Sequence, residues 1–432
     1  MHRVLATLGA AAAMLLSAAA PLWSQQHGAD RIAVLVRAGD DDGARAVIRR
    51  IMRGKPDAAL HVAHLEGVIR MRDKDYKEAI RIFRLILSVE PNFTPARFEL
   101  ARALLRTGDR DGSSYHFQAL ARGSDDAPVR HLAERYLDRI DGSRDYGFSY
   151  YFSLLPSTNV NKGTHNRTFE AGGLVFAIDE DSRKASGVGA GTGGSAFRTF
   201  RLDESYAVVA SGWADIRKYS ETTESDEIGV GGSVALSRRA GRLSWAAGPA
   251  VEYRWAAGDP YLLRYGITAG VRAVVGERNT VSFSLSSRVQ DYVDQDYRDG
   301  HIHIAGLSVR RALSQSDALA ARLGLTFERT QRRHLDYDGA SLGLEYDKEW
   351  RGGFMTSFFG SFEWRDYLGN FPATDHRRED RLFSIGAGVS HRKLNFAGFT
   401  PKATYKFTDR KSNVSFYEYE SHDFGLALTR EF

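Results

Sequence analysis

From Tyr146 to the C-terminal Phe432, apolar residues recur at every second position, in long runs separated by polar breaks. Leu319, Ala321, Leu323, Leu325 and Phe327 fall on one face, and Ala320, Arg322, Gly324 and Thr326 on the other. Residues 263–273, 281–285, 383–389 and 424–432 repeat the pattern. Period two belongs to β-strands with one apolar face. A soluble sandwich would alternate too, but these runs are long enough to cross a bilayer at a tilt. Trp213, Trp245, Trp255, Trp350 and Trp364 fall near run ends, where interfacial aromatics are expected. The expected fold for 145–432 is an all-β transmembrane barrel of about fourteen antiparallel strands. Closure leaves no backbone group unpaired in lipid. An even strand number returns both termini to one side, so the long breaks at 157–184 and 368–378 should face outward. The tight breaks at 239–242 and 276–279 should face the periplasm. The other face carries Gly, Ser, Thr, Arg and Glu, which suits a lumen wide enough for water or a plug.

Ahead of this lie two different segments. Arg3, the apolar stretch 5–20 and the small residues Ser17, Ala18, Ala19 and Ala20 read as a cleaved signal peptide within 1–24. After it, no apolar run is long enough for a membrane helix. Residues 28–141 change to a helical period. Gly67, Tyr76, Ala79, Phe83 and Pro91 stand where a 34-residue tetratricopeptide repeat starting at Leu60 places Gly, Tyr, Ala, an aromatic and Pro. One repeat on, Ala101 and Phe117 take the places of Gly67 and Phe83. Ala44, Ile48 and Pro56 suggest an earlier degenerate copy, and Gly39-Asp40 and Gly108-Asp109 are matching inter-helix turns. Residues 128–140 read as a capping helix. The expectation is a small all-α repeat domain on the periplasmic side. Its concave face could hold a peptide, or it could serve as a spacer or plug.

Catalytic and ligand signatures are few. There is no cysteine, which excludes disulfides, thiolate metal sites, a Cys nucleophile and a lipidated N-terminal Cys. The 59 basic and 54 acidic residues give +5 with no basic block, which argues against nucleic acid. Gly187 to Gly194 contains a nominal G-x-G-x-x-G, but its glycines alternate along an expected strand and would line the lumen. His301 and His303 lack a third ligand, and no G-x-S-x-G elbow occurs. No enzyme, cofactor or metal is expected.

Three passages carry a family resemblance. One is Asn159-Val160-Asn161 after the first strand. A second is Phe399-Thr400-Pro401, followed by Ser412-Asn413. The last is the closing strand through Phe432. In their order and spacing they resemble the surface lipoprotein assembly modifier family. The terminal Phe432 is similar to the signal read by the barrel-assembly machinery, so that machinery is an expected partner during biogenesis, as is the outer-membrane bilayer. The resemblance implies a protein translocator that helps deliver a client surface lipoprotein, or a related secreted acquisition protein, across the outer membrane. It implies structural or assembly roles for Asn159, Asn161, Phe399, Pro401 and Phe432. The N-terminal region is shorter than in longer family members. A polysaccharide exporter with periplasmic repeats, or a passive porin, would also join some of these features.

Overall fold

The computed structural model describes residues 22–142, 145–220, 222–372, 374–392, 394 and 399–429. Residues 1–21, which hold most of the expected signal peptide 1–24, and Arg430, Glu431 and Phe432 lie outside the described residues.

Seven helices come first: α1 Leu22–Ala38, α2 Asp41–Ile51, α3 Ala58–Arg72, α4 Tyr76–Val89, α5 Thr94–Arg106, α6 Arg110–Gly123 and α7 Ala127–Gly142. They pair as repeats because each second helix starts at the same device. Asp40, Asp75 and Asp109 each accept a bond from the backbone N–H three residues on, capping α2, α4 and α6. The residue before each cap turns the chain at positive φ: Gly39 at 80°, Lys74 at 64° and Gly108 at 85°. The middle member of this series has lysine where its neighbours have glycine.

The repeat residues form the core. Phe83 is fully buried, and its ring occupies the space that a Cβ on Gly67 would need, so glycine lets α3 and α4 close on the ring. Ala79 is buried beside it, with Ile86, Leu87, Leu100 and Leu104. Ala101 and Phe117 repeat the arrangement with Phe98 and Leu120, and Phe117 stacks on Tyr136 of α7 at 4.6 Å. Tyr76 is half-buried at the first turn of α4, and Pro91 is buried just beyond its end.

Fourteen strands then close a barrel. Its members are β1 Tyr146–Ser157, β4 Gly187–Arg201, β5 Tyr206–Tyr219, β6 Glu227–Ala240, β7 Leu243–Ala256, β8 Asp259–Val275 and β9 Asn279–Tyr292. The circle continues through β10 Gly300–Ala312, β11 Asp317–Thr330, β12 Tyr337–Glu349, β13 Phe354–Asn370, β14 Arg377–His391, β15 Thr400–Ser412 and β16 Tyr419–Thr429. All ladders are antiparallel between neighbours, with β1 pairing both β4 and β16. Phe148, Phe152, Ile267, Leu323, Ile385 and Leu426 point outward and are exposed. Apolar surface on that scale belongs against hydrocarbon.

The break at 157–184 is not plain loop: β2 Thr168–Ala171 and β3 Leu174–Ala177 form a hairpin inside it. The break at 368–378 shortens to 371–376, because β13 runs on to Asn370 through a register shift after Asp366. Trp213 is not an interfacial girdle residue. It faces the lumen, lying over Gly229 and Gly231, where a Cβ would come within 2.9 and 2.6 Å of the ring. The glycines of β4 have a related use: Gly189 and Gly193 leave room for the rings of Tyr219 and Tyr151. Bare backbone on one strand is the seat for an aromatic ring from the next.

Candidate functional site: the lumen and its two rims

The lumen wall is polar and charge-paired. On the inner face of β7, Glu252 meets Arg254 at 2.5 Å, Arg288 at 3.1 Å and Arg264 at 3.8 Å. Across the barrel, Asp380 of β14 is paired with Arg378 and Arg410. These side chains hold one another in place along the polar inner wall. Among the described residues no group of three or more His, Asp or Glu is placed to hold a metal.

The rim opposite the helices is closed by amides. Asn159 is buried. Its side chain donates to the carbonyls of Gly163 at 2.8 Å and Glu420 at 3.0 Å, and accepts from the Gly163 N–H at 2.9 Å. Asn161 donates to the carbonyls of Asp181 and Arg183 and accepts from the N–H groups of Gly163 and Ala185. The two amides thus fasten the loop between β1 and β4 to itself and to the start of β16. Phe399 and Pro401 lie at the other end of the barrel. The Phe399 ring rests on Tyr150 of β1 at 5.2 Å, although β16 separates their strands. Pro401 pairs with Leu428 one residue outside the β14 ladder, near the start of its strand, where a missing N–H is tolerated.

At the helical rim, the array sits on the strand-connecting turns. Arg242 of the β6–β7 turn reaches Glu134 at 3.1 Å. Glu277 and Arg278 of the β8–β9 turn pair with Arg130 and Asp125. In the β10–β11 turn Gln315 donates to the Thr94 hydroxyl at 2.6 Å, and Gly123 packs so closely on Ser314 that a Cβ would strike its carbonyl. In the β12–β13 turn Gly352 N–H donates to Ser88 O at 2.5 Å, and Arg351 pairs with Glu90 at 2.6 Å.

The centre of this contact is Glu349, the last residue of β12. Its carboxylate takes both terminal nitrogens of Arg97, the Tyr115 hydroxyl, and Arg392, which follows β14, at 2.8 Å. Arg97 also donates to Pro91 O at 2.7 Å and to His116 Nδ1 at 3.3 Å. Arg97, Glu349 and Arg392 are each at most 6% exposed in the chain. A buried carboxylate shared by two guanidinium groups is stable only while all partners stay. Burial, with Arg97 and Arg392 close by, holds the His116 imidazole well below its ordinary range, so it is neutral and free to accept from Arg97. Burial also pushes the Tyr115 hydroxyl upward, which keeps its proton available to Glu349. None of these residues stood out in the sequence. Arg97 shares a helical stripe with Leu100, Ala101 and Leu104, and a charge in an apolar stripe was the available signal.

The protein is thus a barrel with a helical array docked on one mouth. Residues 146–432 match the surface lipoprotein assembly modifier family. The chain belongs to that family. Its barrel is an outer-membrane barrel, and residues 70–136 match the tetratricopeptide repeat. The chain is 22% identical to surface lipoprotein assembly modifier 1 of Haemophilus influenzae over 84% of its own length and 76% of that protein. It is also 22% identical to the hemophilin secretion modulator of Acinetobacter baumannii, over 85% of this chain and 78% of that one. Surface lipoprotein assembly modifier 1 of Neisseria meningitidis serogroup B is 21% identical over 88% and 78%. Among solved barrels, OprD of Pseudomonas aeruginosa overlaps at a TM-score of 0.33 and 7% identity, covering 66% of this chain and 92% of that one.

Proposed function

We propose that this protein is an outer-membrane translocator that moves a surface lipoprotein, or a related secreted acquisition protein, outward through or along its barrel. The helical array sits in the periplasm, after removal of the signal peptide, and meets the client. The barrel then conveys the client without covalent chemistry, cofactor or metal. Folding into the membrane relies on the barrel-assembly machinery and on the last described strand, β16. The observation that carries the reading is the docked array itself: a repeat domain spread over the mouth of a hydrated barrel suits a controlled passage better than a passive porin. A short array of three helix pairs and a capping helix suits a polysaccharide exporter less well.

The test is genetic. Deleting the gene should remove a client lipoprotein from the reach of external protease on intact cells, and the wild-type copy should restore it. Unchanged exposure of every lipoprotein encoded nearby would overturn the translocator reading, and loss of surface polysaccharide instead would favour an exporter.

A further inference from the structure

Between α6 and the barrel wall lies a cavity of about 400 Å³. Tyr115, Gln118, Ala119 and Arg122 of α6 roof it. Its basic residues are Arg122, Arg272, Arg278, Arg310, Lys348 and Lys402, and its acidic residues are Asp317, Asp347 and Glu349. Every acid is already engaged. Asp347 is held by Arg310 at 2.8 Å, Asp317 accepts from Tyr346 at 3.3 Å beside Lys348, and Glu349 carries Arg97 and Arg392. The excess is therefore positive. Arg272 has no ion-pair partner among the described residues, and Arg122 and Arg278 reach outward to Glu134 and Asp125 on the helices. The inner face of β15 extends the charge into the barrel, because Lys402, Lys406 and Arg410 share one side of the strand. Lys406 and Arg410 line a second cavity with Arg217, Arg365 and Lys162, where Asp423 is the acidic member.

We infer that the cavity beneath α6 is a docking site for an acidic stretch of polypeptide, taken up at the helical rim and drawn along the basic side of the lumen. The inference rests on the translocator reading for what the stretch belongs to. Low-dielectric walls lined by one sign of charge concentrate the opposite sign, and the attraction weakens with salt. The volume admits a few residues of extended chain, so the site reads local charge and not a folded surface. Glu349 already shows how a carboxylate is received there, between two guanidinium groups and a phenol.

The full-length protein in detergent, titrated with fluorescent decapeptides of glutamate, of lysine and of glycine-serine, tests this by anisotropy. The glutamate peptide should bind, salt should weaken it, and the other two should not bind. Arg272→Glu with Lys402→Glu should weaken it about tenfold or more. Arg49→Glu with Arg50→Glu, which makes the same charge change on exposed α2, should leave it within about twofold. If the lumen double variant does not form a heat-modifiable barrel, Arg272→Gln replaces it, with a loss of about threefold expected. Equal binding of the lysine peptide, or equal losses in the lumen and α2 variants, overturns the inference. Client exposure on cells plays no part in these readings, so failure of the translocator proposal would leave them standing.

Discussion

The two rims of the barrel are closed by different chemistry. At the far rim the fastening is neutral: Asn159 and Asn161 bond to backbone groups of their own loop, and Asn159 also to Glu420 of the neighbouring strand. At the helical rim the central contact is ionic: Arg97 of the array meets Glu349 of the barrel, both buried. Amide clasps are part of how the barrel holds its shape. Ionic contacts between two units join parts that each have their own core or ladder. The far rim is thus built as structure, and the helical rim as a joint.

The comparison can be broken at its strongest point first. Glu349→Gln removes the counter-charge of two buried guanidinium groups, which costs about 3–5 kcal/mol. The array should detach while the barrel stays closed. Faster protease cleavage between α7 and β1, higher conductance in planar bilayers and unchanged heat-modifiable migration would be observed together. Loss of the barrel itself would erase the distinction between the rims. Asn159→Ala should do the opposite. It removes the amide donor from the Gly163 and Glu420 carbonyls and leaves the Gly163 N–H to Asn161 alone, at about 2–3 kcal/mol. Loop 158–186 should become protease-sensitive and the barrel should melt earlier, with the helical signal unchanged.

Acid should also act on the array. Burial brings the His64 imidazole down to about 3, and His116 is lowered in the same direction, from an ordinary value of 6.5. In the unfolded chain both take up a proton near their ordinary value, while the folded array excludes it. Stability is therefore full above that value and falls below it, by about 1.4 kcal/mol per pH unit for each histidine, until the folded-state values are reached. Helical melting between pH 7 and 5 should show this slope, and a flat profile would contradict the burial of both rings. The smallest effect belongs to Lys74→Gly. It relieves a side chain at φ 64° and should raise the array's stability by about 1 kcal/mol. A decrease in melting temperature would count against the turn series Gly39, Lys74, Gly108.

Much of the barrel was legible because alternation is a local property. The runs at 263–273, 281–285 and 319–327 lie within β8, β9 and β11, and the strand number follows from the breaks between runs. The repeats were legible for another reason: Gly67 and Phe83 are tied by volume, and the tie recurs at Ala101 and Phe117. What escaped was whatever depended on partners far apart in sequence. Trp213 sits within a strand and reads as any interfacial tryptophan until Gly229 and Gly231 appear beneath it. Lys74 hid the middle turn of the array by standing where the flanking turns have Gly39 and Gly108. The β2–β3 hairpin is too short for its alternation to register. Glu349 and Arg392 sit at strand ends, where charge is ordinary, and only assembly with Arg97 buries them.

The placement of the ionic contacts around the ring has a mechanical consequence. The array is covalently joined to the barrel at β1, whereas its ties fall on the turns from β6 to β13 and on Arg392 beyond β14. In the circular strand order β10 stands diametrically across from β1, with β11 beside it. The helices are therefore tethered to one wall and fastened to the opposite one. With those ion pairs broken, the covalent link to β1 would carry the whole array, so its hold on the barrel is lopsided by construction.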